Sequence, residues 1–238
     1  MVSYEQLATL ELQQWKKKMC KKPSLSSKVT KKVQTKFNSI IPDKAQNMIT
    51  EAIKNMVKAV LVGSEYTTRS PLLYASLKER EDLINDKLNF YRKTATLSGA
   101  GTGAGGIFLG LADFPILLSI KMKFLFDVAS LYGFDVKNYS ERLYILNIFL
   151  LAFSSDVKRA DVFNQMLYWD KYLSNHPYNL DLYDWKSFQT EYRDYIDLAK
   201  LLQLVPGIGA VVGAYANYKL LDKLGETAIN SYRLRILQ

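Results

Sequence analysis

The sequence predicts an all-α protein, a multi-helix bundle of about eight to ten helices around two close-packed glycine-rich helices. Three observations predict it. Apolar residues recur at i, i+3 and i+4 in one segment after another. Serines that suit helix caps open several of these segments, and glycine or proline closes them. No alternating run is long enough for a convincing strand, and no hairpin dipeptide separates two apolar runs.

Ser3 and Gln6 form a capping box for the first helix, which is expected to bury Leu7, Ala8, Trp15 and Met19. Lys16, Lys17, Lys18, Lys21 and Lys22 close it, where cations suit the negative end of a helix dipole. Pro23 with Ser24, Ser26 and Ser27 then breaks the chain. A second helix carries Leu25, Val29, Val33 and Phe37 at four-residue spacing, with Lys28, Lys31, Lys32 and Lys36 on its other faces. It reads as an interfacial membrane-surface segment or as a helix docked on the core with a solvated lysine face. From Pro42 and Asp43 runs the clearest amphipathic pattern: Ala45, Met48, Ile49, Ala52, Ile53, Met56, Val57 and Val60, stopped by Gly63. Ser76 and Glu79 make another capping box, for a charged helix starting near Leu77.

Beyond Asp113-Phe114-Pro115, a helix places Leu118, Met122, Leu125, Ala129 and Tyr132 on one face, and Gly133 ends it. Lys123 and Asp127 are spaced to pair within it. Ser140 is expected to cap ERLYILNIFLLAF, which is apolar all round and therefore central. Ser154-Ser155-Asp156 restarts the chain into a helix with Val157, Ala160, Phe163 and Leu167 that ends near Leu173. Ser174 to Tyr183 reads as a loop holding the only histidine, His176, and one histidine is not a metal site. Asp184 opens a helix with Trp185, Phe188, Tyr192, Ile196 and Ala199 as its stripe. The last helix passes through Tyr218, Leu221, Leu224 and Ala228 to Tyr232, with Arg233 and Arg235 at its end.

Two uncharged stretches organise the chain: Thr94–Ala112 and Leu201–Tyr218. Gly99 with Gly103, Gly106 with Gly110, and Gly209 with Gly213 are each four apart, so each pair shares a helix face where backbones can approach closely. Glycine costs about 1 kcal/mol against alanine inside a helix, so close packing or lipid should offset it. The two stretches are expected to pair, either as a tight crossing in a soluble core or as a membrane-embedded hairpin. Gly101 to Gly106 also matches G-x-G-x-x-G. That motif has mechanical sense after a strand, and a charged helical segment precedes it here.

With 238 residues the chain is expected to divide into a lysine-rich helical region, 1–62, packed on a helical core, 63–238. One cysteine, Cys20, excludes an internal disulfide and suits a reducing compartment. The N-terminus lacks a secretory h-region, so a cytoplasmic location, peripheral to the inner face of the cell membrane, is expected. Residues 1–60 hold 12 Lys against four acids, nearly the whole formal charge of +9. That asymmetry points to an anionic partner, with the nine lysines from Lys16 to Lys36 named above as its contacts. Nucleic acid has only the basic balance in its favour, without an aromatic platform or recognition helix. No metal cluster, nucleophile elbow or Walker sequence is present, and no cofactor is expected. Asp194 and Asp197 have Arg193 and Lys200 as ordinary partners. The alternative is a hydrolase-like enzyme using Asp127, Asp170, Asp194 or Asp197 near the glycine pair.

Three segments, Ala112–Gly133, Trp185–Leu221 and Asn230–Leu237, resemble the EcsC family, LVPGIGAVVGAYAN being the most specific. The basic N-terminal part with Ile41–Met56 is similar too, so the resemblance covers essentially the whole chain. It implies a bacterial, cytosol-side protein with a role accessory to an ABC transporter, and it implies no catalytic residues. Anionic membrane lipid or ABC transporter subunits are therefore the expected partners of a non-enzymatic accessory protein.

Overall fold

The computed structural model describes residues 2–21, 43–62, 70–102, 114–175 and 209–238. Among these residues there are eight α-helices and no strand. In chain order they are α1 (Tyr4–Met19), α2 (Asp43–Val62), α3 (Leu77–Thr102), α4 (Phe114–Leu131), α5 (Tyr139–Phe153), α6 (Asp156–Leu167), α7 (Trp169–Asn175) and α8 (Gly209–Ile236). Lys22, the expected second helix with Lys28, Lys31, Lys32 and Lys36, and the segment from His176 through Asp194 and Asp197 to Leu204 lie outside the described residues.

The helix starts follow from local chemistry. Gln6 N donates to Ser3 Oγ at 3.2 Å while Ser3 N donates to Gln6 Oε1 at 2.9 Å, the reciprocal capping box. Ser76 and Glu79 repeat the arrangement at α3. Gly133 (φ +92) ends α4 in a Schellman motif: Phe134 N donates to Ala129 O and Gly133 N to Ser130 O, both at 3.0 Å. A Cβ at Gly133 would also stand 3.1 Å from the Leu72 carbonyl oxygen.

Three expectations change. The N-cap of α5 is Asn138, not Ser140, because α5 begins at Tyr139 and leaves Ser140 inside its first turn. The helix from Asp156 does not run on to Leu173: Tyr168 leaves helical geometry (φ −116, ψ 47) and a separate α7 follows. Leu7 is exposed rather than buried. The buried stripe of α1 is Ala8, Leu12, Trp15 and Met19, and Leu7 lies one position off it.

α5 is the axis of the molecule. Leu143 to Phe153 is buried without interruption, so beyond its first turn no face of α5 meets water. Each large apolar side chain fully buried in this way contributes about 1.5–3 kcal/mol. α2, α4, α6 and α8 pack against it. α3 and α8 form the most extensive helix contact. They run antiparallel, because Glu81 meets Arg233 near one end and Arg92 meets Asp222 further along. They are closely packed at Gly225, where an added Cβ would stand 2.6 Å from Leu88 Cδ2. α4 runs antiparallel to α3, with Arg80 Nη1 donating to Leu131 O and Tyr91 donating to Asp127. α1 runs antiparallel to α8, with Glu11 on Arg233 and Lys18 on Glu226. The C-terminal ends of α1 and α3 and the N-terminal ends of α4 and α8 therefore point to one pole. Ala8 to Met19 of α1 and Ile53 to Val60 of α2 join the same apolar core as α3 to α8.

Candidate functional site

Two regions concentrate polar chemistry, one at each end of the α3–α8 pair. At the first, Arg233 Nε and Nη2 donate to the two oxygens of Glu81 at 2.8 and 2.6 Å. Arg233 Nη1 reaches the exposed Glu11 at 2.7 Å. Tyr4 and Tyr132 hydroxyls donate to Glu81 at 2.6 and 2.9 Å. Two residues further along α8, Arg235 Nη1 donates to Glu141 at 2.6 Å and lies over the Phe134 and Tyr144 rings at 3.9 and 4.4 Å. Tyr232 Oη donates to the other Glu141 oxygen at 2.5 Å. Burial, reinforced by the neighbouring Glu81 carboxylate, pushes the Tyr4 hydroxyl up to about 12. The same causes push Tyr132 and Tyr232 well above the ordinary tyrosine range, with Glu81 and Glu141 as their carboxylates. Burial alone lowers the Arg233 pKa, but Glu81 and Glu11 outweigh it and hold the guanidinium charged. Each buried carboxylate, Glu81 and Glu141, is hydrogen-bonded and paired with an arginine, so the cluster ties helices together and offers no free buried base.

Asp127 is bound in the same way. Lys123 and Lys87 stand 3.1 and 3.3 Å from its oxygens, and Tyr91 Oη donates at 2.8 Å. The expected pairing of Lys123 with Asp127 is present. A hydrolytic site built on Asp127 would need a carboxylate without basic partners. Asp170 is exposed in the first turn of α7. Among the described residues no group of three or more His, Cys, Asp or Glu could hold a metal ion.

Exposed apolar side chains occur at both poles: Tyr74, Leu73 and Val2 stand in solvent at the first, and the second carries a further group. Leu97 is 75% exposed, Tyr215 63% and Ile116 52%, and Phe90 and Tyr218 also stand in solvent. Between α3 and α8 lies an open cleft of about 710 Å³ lined by Asn89, Arg92, Lys93, Thr96, Leu97 and Tyr218. Arg92 is held by Asp222, donates to Asn89 Oδ1 at 3.1 Å and lies 5.0 Å from the Tyr218 ring centroid. Lys93 is exposed and makes no ion pair among the described residues. Of the N-terminal lysines, Lys17, Lys18 and Lys21 are exposed on or just beyond the last turn of α1, with Lys16 half-buried; Lys18 pairs with Glu226 at 2.8 Å. No helix among the described residues is long and apolar enough to cross a membrane.

This pole is also where the described parts of the two glycine stretches sit. Gly99 is near the C-terminal end of α3, and Gly209 and Gly213 are in the first two turns of α8, at the same end of an antiparallel pair. Gly103, Gly106 and Gly110 lie outside the described residues. The sequence reading missed the close approach at Gly225 and the buried Glu81 and Glu141. Glu81 did leave a signal. Leu77, Glu81, Ile84, Leu88, Tyr91 and Ala95 alternate four and three apart, so Glu81 takes a core position in the stripe of α3.

The EcsC protein family matches residues 6–237. The chain belongs to the EcsC family. This EcsC chain is 47% identical over 234 residues to Protein EcsC of Bacillus subtilis strain 168, covering 98% of the chain and 96% of that protein. It is 27% identical over 219 residues to the uncharacterized protein YdbA of the same strain, covering 84% and 80%. No solved structure is a significant match. The ending Asn230–Leu237, one of the segments that carried the resemblance, holds both arginines of the buried cluster.

Proposed function

We propose that this EcsC chain is a non-enzymatic accessory protein that works at the cytosolic face of a membrane, engaging anionic lipid or a membrane partner. An ABC transporter is the partner the family resemblance implies. The observation that carries this reading is the shared pole: large apolar side chains stand in solvent at the end toward which the lysine-rich terminus of α1 points. Exposed apolar groups beside cations suit a headgroup boundary, where lysine and arginine stems lie along the apolar layer and their charges reach the phosphates. Each lysine near an anionic surface contributes about 1 kcal/mol. The buried carboxylates favour this reading over hydrolysis, because Glu81, Glu141 and Asp127 are all committed to cations.

Vesicle flotation tests it. The protein should float with vesicles of phosphatidylcholine and phosphatidylglycerol, remain behind with phosphatidylcholine alone, and detach as salt is raised. Lys17→Glu with Lys21→Glu should weaken the recruitment. Binding to neither the acidic vesicles nor native membranes overturns the proposal.

A further inference from the structure

We infer that the cleft between α3 and α8 seats the headgroup phosphate of one acidic phospholipid, with the glycerol and acyl chains leaving across Leu97. This rests on the membrane-facing reading above and names the ligand class of that pole.

The charge balance of the cleft is the first ground. Arg92 and Lys93 line the cleft, and Asp222 beside it faces Arg92 and Lys219. Asp222 is taken by Arg92 and approached by Lys219 at 3.9 Å, which leaves Lys93 on the rim with no counter-ion among the described residues. A phosphate supplies the missing negative charge. Its oxygens accept hydrogen bonds only, and the polar groups at hand are donors: the Lys93 ammonium, the Asn89 amide and the guanidinium of Arg92. Arg92 Nε is buried and has no acceptor among the described residues.

The second ground is the shape of the surroundings. α3 supplies Asn89, Arg92, Lys93, Thr96 and Leu97 to the cleft, with Leu97 one turn beyond Lys93, and α8 supplies the Tyr218 ring. Beyond them Tyr215 and Ile116 continue the apolar surface at the same pole. A free phosphate leaves that surface uncovered, whereas a lipid has both parts. The Tyr218 ring also fixes Arg92 by cation–π contact, so the cationic side is preformed rather than assembled on binding.

Calorimetry with the full chain and dihexanoyl phosphatidylglycerol, held below its micelle concentration, tests the site apart from general surface attraction. Saturable one-to-one binding is expected, about tenfold tighter than for dihexanoyl phosphatidylcholine. Lys93→Glu and Leu97→Glu should each weaken it about tenfold. Lys171→Glu, the same charge change on α7, should bind as the unmodified chain does. Thermal melts confirm that each variant is folded, since Lys93, Leu97 and Lys171 are all exposed. Equal binding of the two lipids, displacement by inorganic phosphate as effective as by lipid, or undiminished binding by Lys93→Glu overturns the site. Recruitment to acidic vesicles without saturable binding of the short lipid removes this inference and leaves the membrane-facing function standing. Loss of both removes both.

Discussion

Arg233 and Glu81, 152 positions apart in sequence, meet through two hydrogen bonds of 2.8 and 2.6 Å in the interior of the bundle. The contact joins α8 to α3, and through Glu11, Tyr4 and Tyr132 it also engages α1 and the end of α4. A buried ion pair adds little net stability over an apolar pair, but removing one partner strands the other charge. Arg233→Met should therefore cost about 3–5 kcal/mol in urea denaturation. Glu81→Met combined with Arg233→Met should be more stable than Arg233→Met alone. A single-variant cost under about 1 kcal/mol would show that water reaches Glu81.

At Gly225, α8 packs directly on the Leu88 side chain of α3. Gly225→Ala gains about 1 kcal/mol of helix propensity, yet its Cβ would sit 2.6 Å from the buried Leu88 side chain. Overpacking costs about 1–3 kcal/mol, so the variant should be destabilised overall. Adding Leu88→Val should recover part of that loss in a double-mutant cycle. Independent, additive effects would contradict the contact.

Lys223 gives the protein a pH dependence of definite sign. Burial, with Arg159 and Lys18 nearby, lowers its pKa to about 8 from 10.5. Below pH 8 the lysine is protonated in both folded and unfolded chains, and the burial penalty is paid in full. Between about pH 8 and 10 the unfolded chain keeps the proton and the folded chain loses it, so stability rises with pH. Above pH 10 the trend reverses. The unfolded tyrosines ionise, while burial and carboxylate neighbours keep Tyr4, Tyr132 and Tyr232 protonated in the fold. The urea midpoint should peak between about pH 9 and 10, and Lys223→Met should flatten the rising limb. An unchanged limb in that variant would assign the effect elsewhere.

The exposed pole separates apolar insertion from charge attraction. Leu97→Ser with Ile116→Ser should leave the melting temperature nearly unchanged, because both residues stand largely in solvent. The same variant should reduce flotation with acidic vesicles and make what remains more salt-sensitive. Undiminished flotation would place the contact surface elsewhere.

The local elements were legible in the sequence because their signals are local. Ser3 with Gln6, Ser76 with Glu79, and Gly133 each act within a few residues, and each has the role its spacing implied. The uninterrupted apolar run after Ser140 likewise placed α5 at the centre. Ser140 misled because a serine two residues into a helix looks the same on paper as a cap. The break at Tyr168 carries no glycine or proline to mark it. The buried cluster was hidden for a different reason. Glu81, Arg233 and Arg235 sit on helices rich in surface charge, Glu141 lies in the polar first turn of α5, and only tertiary packing selects them for the interior. The poles of the bundle were likewise beyond reach, since they depend on antiparallel registers between helices distant in the chain.

An α5 with no face toward water beyond its first turn sets an order on backbone opening. The amides of that buried length can reach deuterium only when α2, α4, α6 and α8 have all drawn back, so they should be the last in the molecule to exchange. α1, with Glu5, Gln6 and Leu7 facing solvent in its first turns, can lift away while that central rod remains protected.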